Sequence, residues 1–340
     1  MSKDWVHGGT DALGVPAHDF STNRNACGPC PQAVAALQAA HCAQYPDPSY
    51  TELRQQLARF HGVSVQRIVV AGSASEFIHR ITMHAVRQGA QHVSLPLHHC
   101  GDYPQAAQVW GLPVVDRGSH AAGPGLHWAC APSSPLGLNE NLDMQWADAA
   151  PAATWRVLDC AYAPLRLVAQ PCLPFLDSVW QMWTPNKALG MTGVRAAYAI
   201  APVHAGPHEL AALQQLAASW VVGAHGVAML QAWVTPVVQQ WLQASLVQLR
   251  HWKTQQLQLC ADLGWAVLPG HQANYFVARW PAKLHASMHQ HLAALREQGI
   301  KLRDAASFGL PGCVRMGVLP PASQQALALA WMQLQEKEMA

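Results

Sequence analysis

Apolar positions recurring every three to four residues predict two early amphipathic helices, PQAVAALQAAHCA from residue 31 and YTELRQQLARFHG from residue 50. The second is closed by Gly62, a residue suited to the left-handed turn that ends a helix. The rhythm then changes. RIVVAG is a short apolar run rich in β-branched residues, and the helix-like SEFIHRITMHAVRQG follows it. HVSLP, a helical YPQAAQVWG, PVVD, LHWACAP, a helical NLDMQWADA and TWRVLDCAY continue the alternation, and SVWQMW and RAAYAIA read as two more strands. Strands alternating with helices argue for right-handed crossovers on a mostly parallel sheet. From about residue 205 the chain turns helical, with one long helix expected over PHELAALQQLAASWVVGAHGVAML and another over 237–262. WAVLPG, YFVARW, KLHASMHQHLAALREQG, KLRD, CVRMGV and a last helix close the chain as a smaller α+β unit.

Composition narrows the function. Of 340 residues 51% are hydrophobic and 12% charged, with a net charge of +2, so a large core is available. No basic tract offers the clustered Lys and Arg that a phosphate backbone needs, which argues against nucleic acid. The opening MSKDWVHGGTDALG lacks a leader's apolar segment, and the richest apolar run, SWVVGAHGVAMLQAWV, is too short to span a bilayer. Nine cysteines without framework spacing fit reduced thiols. These features predict a soluble, cytoplasmic protein.

In open α/β sheets ligands sit beyond the carboxyl ends of the strands. After RIVVA comes Gly72-Ser73-Ala74-Ser75-Glu76, opening a helix. Its backbone amides suit an anion, although Ser73 and Glu76 would equally make an ordinary capping box. TWRVLDCAY puts Asp159 at a strand end with Tyr162 three residues on. WTPNKALGMTGVRAAY carries Lys187 between Thr184 and Arg195, and a lysine buried there would be a candidate for covalent attachment to an aldehyde. An anion cradle, an acid and a lysine with an arginine together suit one ligand, pyridoxal 5′-phosphate.

These segments resemble the fold-type I pyridoxal-phosphate enzymes of the class I/II aminotransferase group, nearest to histidinol-phosphate aminotransferases and the cobalamin-pathway threonine-phosphate decarboxylases. The resemblance covers nearly the whole chain. It implies a large domain over residues 46–235, with a mostly parallel seven-stranded sheet between helices, and a small α+β domain over 236–340. Residues 1–45 would form an N-terminal arm and part of the small domain. VLDCAY is similar to the family's strand-end Asp-Glu-Ala-Tyr, which implies Asp159 on the pyridine nitrogen and Tyr162 on the phenolic oxygen. TPNKALGMTGVRAAY implies Lys187 as the cofactor lysine, with Thr184 and Arg195 on the phosphate beside Ser73, Ala74 and Ser75. YPDPSYTELR implies that Tyr45 reaches the partner's site in a homodimer. Tyr103, or else His98, is implied to stack on the ring. VRMGV places Arg315 on the substrate carboxylate.

HGGTDALGVP resembles the decarboxylase branch and implies His7, Gly8 and Gly9 near a substrate phosphate. IKLRDAASFGLPG likewise implies Arg303 as a further anion ligand. The expected reaction is therefore decarboxylation of a phosphorylated amino acid, with amino transfer of the histidinol-phosphate type as the alternative. Two positions depart from the family pattern: Ser134 stands in for an asparagine at the phenolic oxygen, and Cys160 for an acid. CGPC invites a dithiol reading, but STNRNACGPCPQAV also matches the family's N-terminal segment, with Asn23 and Asn25 in register and Asn25 at the substrate. Pro31 then opens a helix where proline is favoured. His98, His99 and Cys100 in LHHC would not converge on a metal from one strand. A non-catalytic homologue would be expected to lose Lys187 or Asp159, and both are present.

Overall fold

The computed structural model describes residues 7–117, 119, 123–139, 146, 154–169 and 175–339, with side chains to 336. A seven-stranded sheet carries the first half of the chain. Its strands are β2 (Ile68–Ala71), β3 (His92–Leu95), β4 (Val114–Asp116), β5 (Gly125–Cys130), β6 (Trp155–Asp159), β7 (Trp180–Trp183) and β8 (Ala197–Ile200). Their spatial order is β2-β8-β7-β6-β5-β3-β4, all parallel except β8, which runs antiparallel to both neighbours. The continuous apolar runs follow from this topology, because parallel strands covered on both faces have no polar side. On one face α3 (Ala74–Arg87) and α4 (Asp102–Val109) close a core built on Phe77, Ile81, Trp128 and Trp180. On the other face α2 (Thr51–His61), α6 (Ala224–Trp233) and α7 (Pro236–Asp262) pack over Ile68, Val70 and Tyr198.

A four-stranded antiparallel sheet follows, in the order β12 (Arg303–Asp304), β13 (Cys313–Gly317), β10 (Tyr275–Arg279), β9 (Ala266–Val267). The helices α8 (Met288–Glu297) and α9 (Pro321–Met339) belong to this part of the chain. The arm returns to it. β1 (His18–Asp19) pairs in parallel with β11 (Ile300–Lys301).

Two sequence expectations change. The first helix, α1 (Pro31–Gln38), stops short of Ala43. The long helix expected from Pro207 is two, α5 (Pro207–Gln215) and α6. The connection holds Trp220 at φ 48° and ends on Gly223, the residue flanking the start of α6, so the apolar periodicity runs on through a break in the backbone. The expected helix NLDMQWADA lies outside the described residues except for Trp146.

Candidate active site

β6 delivers Asp159 from an apolar strand into a site where it is only 7% exposed. Each carboxylate oxygen meets one donor: Oδ1 accepts the Ala161 amide at 2.8 Å, and Oδ2 accepts the Tyr103 hydroxyl at 2.6 Å. Burial pushes the carboxyl above its ordinary range, while the Tyr103 bond, the Lys187 charge and the Ala161 amide pull it back toward ionisation. Lys187 is half-buried in the turn after β7, with Nζ 5.3 Å from the centre of the Tyr162 ring. That ring in turn packs edge-on against Tyr275 at 4.7 Å. Acid, lysine and phenol therefore share one place, as expected.

The lysine turn is held from behind by the arm. The Asn25 amide donates to the Lys187 carbonyl at 2.8 Å, and the Cys30 amide to the Leu189 carbonyl at 2.9 Å. A Cβ on Gly28 would lie 2.7 Å from the Leu189 oxygen, and one on Gly190 would lie 2.9 Å from the Gly28 Cα, so both positions need glycine for this approach. CGPC is thus a packing turn against the lysine. Both its thiols are free, and burial pushes Cys27 up to about 11, the reverse of an activated redox thiol. Asn25 itself corrects its expected role. It is fully buried, and its Nδ2 donates to the Ala188 carbonyl at 3.0 Å and the Ser245 hydroxyl at 2.7 Å, so it braces the lysine turn and has no face for a substrate.

At the end of β2, Ser73 caps α3 by accepting the Glu76 amide at 3.0 Å, while Glu76 reaches back to the Gly72 amide at 3.0 Å. The capping reading of this stretch holds, and the Ala74 and Ser75 amides remain at the positive end of the helix for an anion. Ser75 Oγ donates to Asp102 at 2.6 Å. Thr184 is buried, with its hydroxyl on Asn186 Oδ1 at 2.7 Å. Arg195 is exposed, and among the described residues no hydrogen bond or ion pair joins it to the others.

Tyr103 departs from expectation. Its ring is 1% exposed and stacks on Trp128 at 4.4 Å, leaving no open face for a cofactor ring; it meets the site through its hydroxyl. His98, the second choice, bonds the Phe308 carbonyl through Nδ1 at 2.7 Å.

Two further candidate residues come from the small sheet. Arg303 and Arg315 stand directly opposite each other on β12 and β13, both buried. Like charges so placed repel, and burial together with Arg315 brings Arg303 down to about 10. Phe308, which the sequence reading passed over, lies under both guanidiniums, 4.7 Å from Arg303 and 5.4 Å from Arg315. A lone aromatic in a loop between two arginine strands was the only available signal. Arg315 also approaches Ser134 Oγ at 3.4 Å and donates to the Ser21 carbonyl at 2.8 Å, and among the described residues its buried Nε has no partner. Gly9 donates its amide to Ser21 Oγ at 2.8 Å, and a Cβ on Gly8 would sit 2.2 Å from the Ser21 oxygen. The His7-Gly8-Gly9 stretch therefore lies one residue away from Arg315. Tyr45 is elsewhere, 76% exposed and stacked on Trp220 at 4.4 Å.

A family model described as aminotransferase class I and II matches residues 128–330, more than half of the chain. The chain belongs to this family. The matched span includes Asp159, Lys187, Arg303 and Arg315, and the expectations of a pyridoxal-phosphate fold and cofactor hold for this aminotransferase-family chain. The histidinol-phosphate aminotransferase of Jannaschia sp. is 27% identical over 322 residues, covering 89% of this chain and 87% of that protein. Among solved structures, histidinol-phosphate aminotransferase from Sinorhizobium meliloti in complex with pyridoxal-5′-phosphate superposes with a TM-score of 0.77 at 22% identity, over 92% of this chain and 90% of that one. L-threonine-O-3-phosphate decarboxylase from Porphyromonas gingivalis gives 0.72 at 20% identity, over 90% and 94%. Among the described residues no group of three or more His, Cys, Asp or Glu is placed to hold a metal, and no helix is long and apolar enough to cross a membrane.

Proposed function

We propose that this chain is a pyridoxal-phosphate aminotransferase whose amino donor carries a phosphate-like anion, in the manner of histidinol phosphate. The observation that carries the reading is the buried pair Arg303 and Arg315 over Phe308; among the described residues no carboxylate forms an ion pair with either, and Nε of Arg315 has no partner. Two like-charged guanidiniums face each other here, and an anionic substrate would relieve their repulsion. The cofactor supplies an electron sink next to the substrate carbon. Lys187 Nζ, over the Tyr162 ring, is the group that takes the proton from the substrate Cα and returns it. Asp159, in its carboxylate form, keeps a proton on the cofactor ring nitrogen. Ser73, Ala74, Ser75, Thr184 and Arg195 hold the cofactor phosphate, and Tyr45 from a second copy completes that group in a homodimer.

Decarboxylation of a threonine-phosphate-like substrate is the second reading, favoured by the Gly8–Gly9 segment seated on Ser21 beside Arg315. The test supplies histidinol phosphate or O-phospho-L-threonine with 2-oxoglutarate. Glutamate formation supports amino transfer; CO₂ without glutamate replaces it with the lyase reading; neither product overturns both.

A further inference from the structure

The two halves of the cofactor site are joined by consecutive residues at the start of α4. Asp102 accepts the Ser75 hydroxyl at 2.6 Å, on the helix that opens toward the phosphate. Tyr103, the next residue, donates to Asp159 Oδ2 at 2.6 Å, and its ring is clamped on Trp128 of β5 with an interplanar angle of 11°. We infer that Asp102 and Tyr103 form a strut that fixes the phosphate cup and the ring-nitrogen acid relative to each other, with Tyr103 the positioning residue of Asp159. The inference rests on the pyridoxal-phosphate reading of the site.

The chemistry of the strut lies in how it loads one carboxylate. Asp159 has one donor on each oxygen, which fixes the plane of the group and leaves its remaining lone pairs for the site. The phenol favours the ionised form, the form needed beside a ring N–H. Asp102 works the other way, because its negative charge raises the proton affinity of Asp159. The Ser75 bond engages the Asp102 carboxylate on α3. The charged and titratable groups facing Asp159 are Tyr103, Lys187, Asp102, Cys100, Cys160 and Tyr275. Among the described residues, Tyr103 is the one side chain in this set with a hydrogen bond to it.

Tyr103→Phe keeps the ring on Trp128 and removes only the hydroxyl. Loss of a hydrogen bond to a charged group weakens pyridoxal-phosphate binding by about tenfold or more. A ring nitrogen less firmly protonated withdraws fewer electrons, so the pH midpoint of the visible band of the lysine-linked cofactor moves up by about one unit. Ser75→Ala gives a smaller shift of the same sign. In an Asp159→Asn background, Tyr103→Phe moves the midpoint no further, because the acid it positions is gone. A wild-type protein without a visible band would sink the cofactor reading itself. A wild-type band with an unchanged midpoint in Tyr103→Phe, or an equal shift in both backgrounds, would overturn the strut and leave the cofactor reading standing.

Discussion

Arg303→Leu separates a group kept for a ligand from one kept for the fold. Arg303 is 5% exposed and held at about 10 by burial and then by the facing Arg315, a depression that corresponds to about 3 kcal/mol against folding at neutral pH. Against this stand a hydrogen bond to the Asp304 carbonyl, another to Ser307 Oγ at 2.7 Å, and the Phe308 contact at 4.7 Å. Each contributes about 1 kcal/mol. The two sides nearly cancel. Urea denaturation of the cofactor-free protein, followed by tryptophan fluorescence, should therefore change by less than about 1 kcal/mol, where breaking a paired buried ion costs about 3–5 kcal/mol. Calorimetric titration of the cofactor-loaded protein with O-phospho-L-threonine should meanwhile weaken by roughly tenfold to a hundredfold, the loss of one charge-assisted contact. Destabilisation by about 3 kcal/mol or more with anion binding intact would instead make Arg303 a structural residue.

Asn25→Ala removes a fully buried side chain that donates to Ala188 and Ser245 and accepts the Cys27 amide. About 3 kcal/mol of stability should go with it, read by denaturation, and cofactor affinity should fall because the Lys187 turn loses its brace. Tyr45→Ala and Lys187→Ala should each be inactive alone, while mixing and refolding them together should restore up to about a quarter of wild-type activity through dimers with one intact site. No recovery on mixing would place Tyr45 outside the partner's site.

How much of this was legible depended on whether the signal was local. The strand-end positions of Asp159 and Lys187 follow from short apolar runs flanked by turn residues, and the structure gathers them with Tyr162 as expected. The class of fold followed from strands alternating with helices. Tyr103 and Asn25 lie beside Asp159 and the Lys187 turn, but their side chains are taken up by protein partners in a way the sequence did not show. Their roles depend on which way a side chain turns, and that is set by partners far along the chain, Trp128 and Asp159 for one and Ser245 for the other. Phe308 was missed for the same reason, since its meaning comes from two arginines that only strand pairing brings together. The break before α6 was hidden because apolar spacing continues through it while the backbone at Trp220 does not.

In the proposed reading Lys187 carries the cofactor in a site whose acid is Asp159. Borohydride reduction of the protein loaded with pyridoxal phosphate, followed by peptide mass spectrometry, tests it most directly. One stable phosphopyridoxyl adduct is expected, on the peptide containing Lys187, and it should disappear in Lys187→Ala. An adduct on another lysine, or none on a yellow protein, would contradict it.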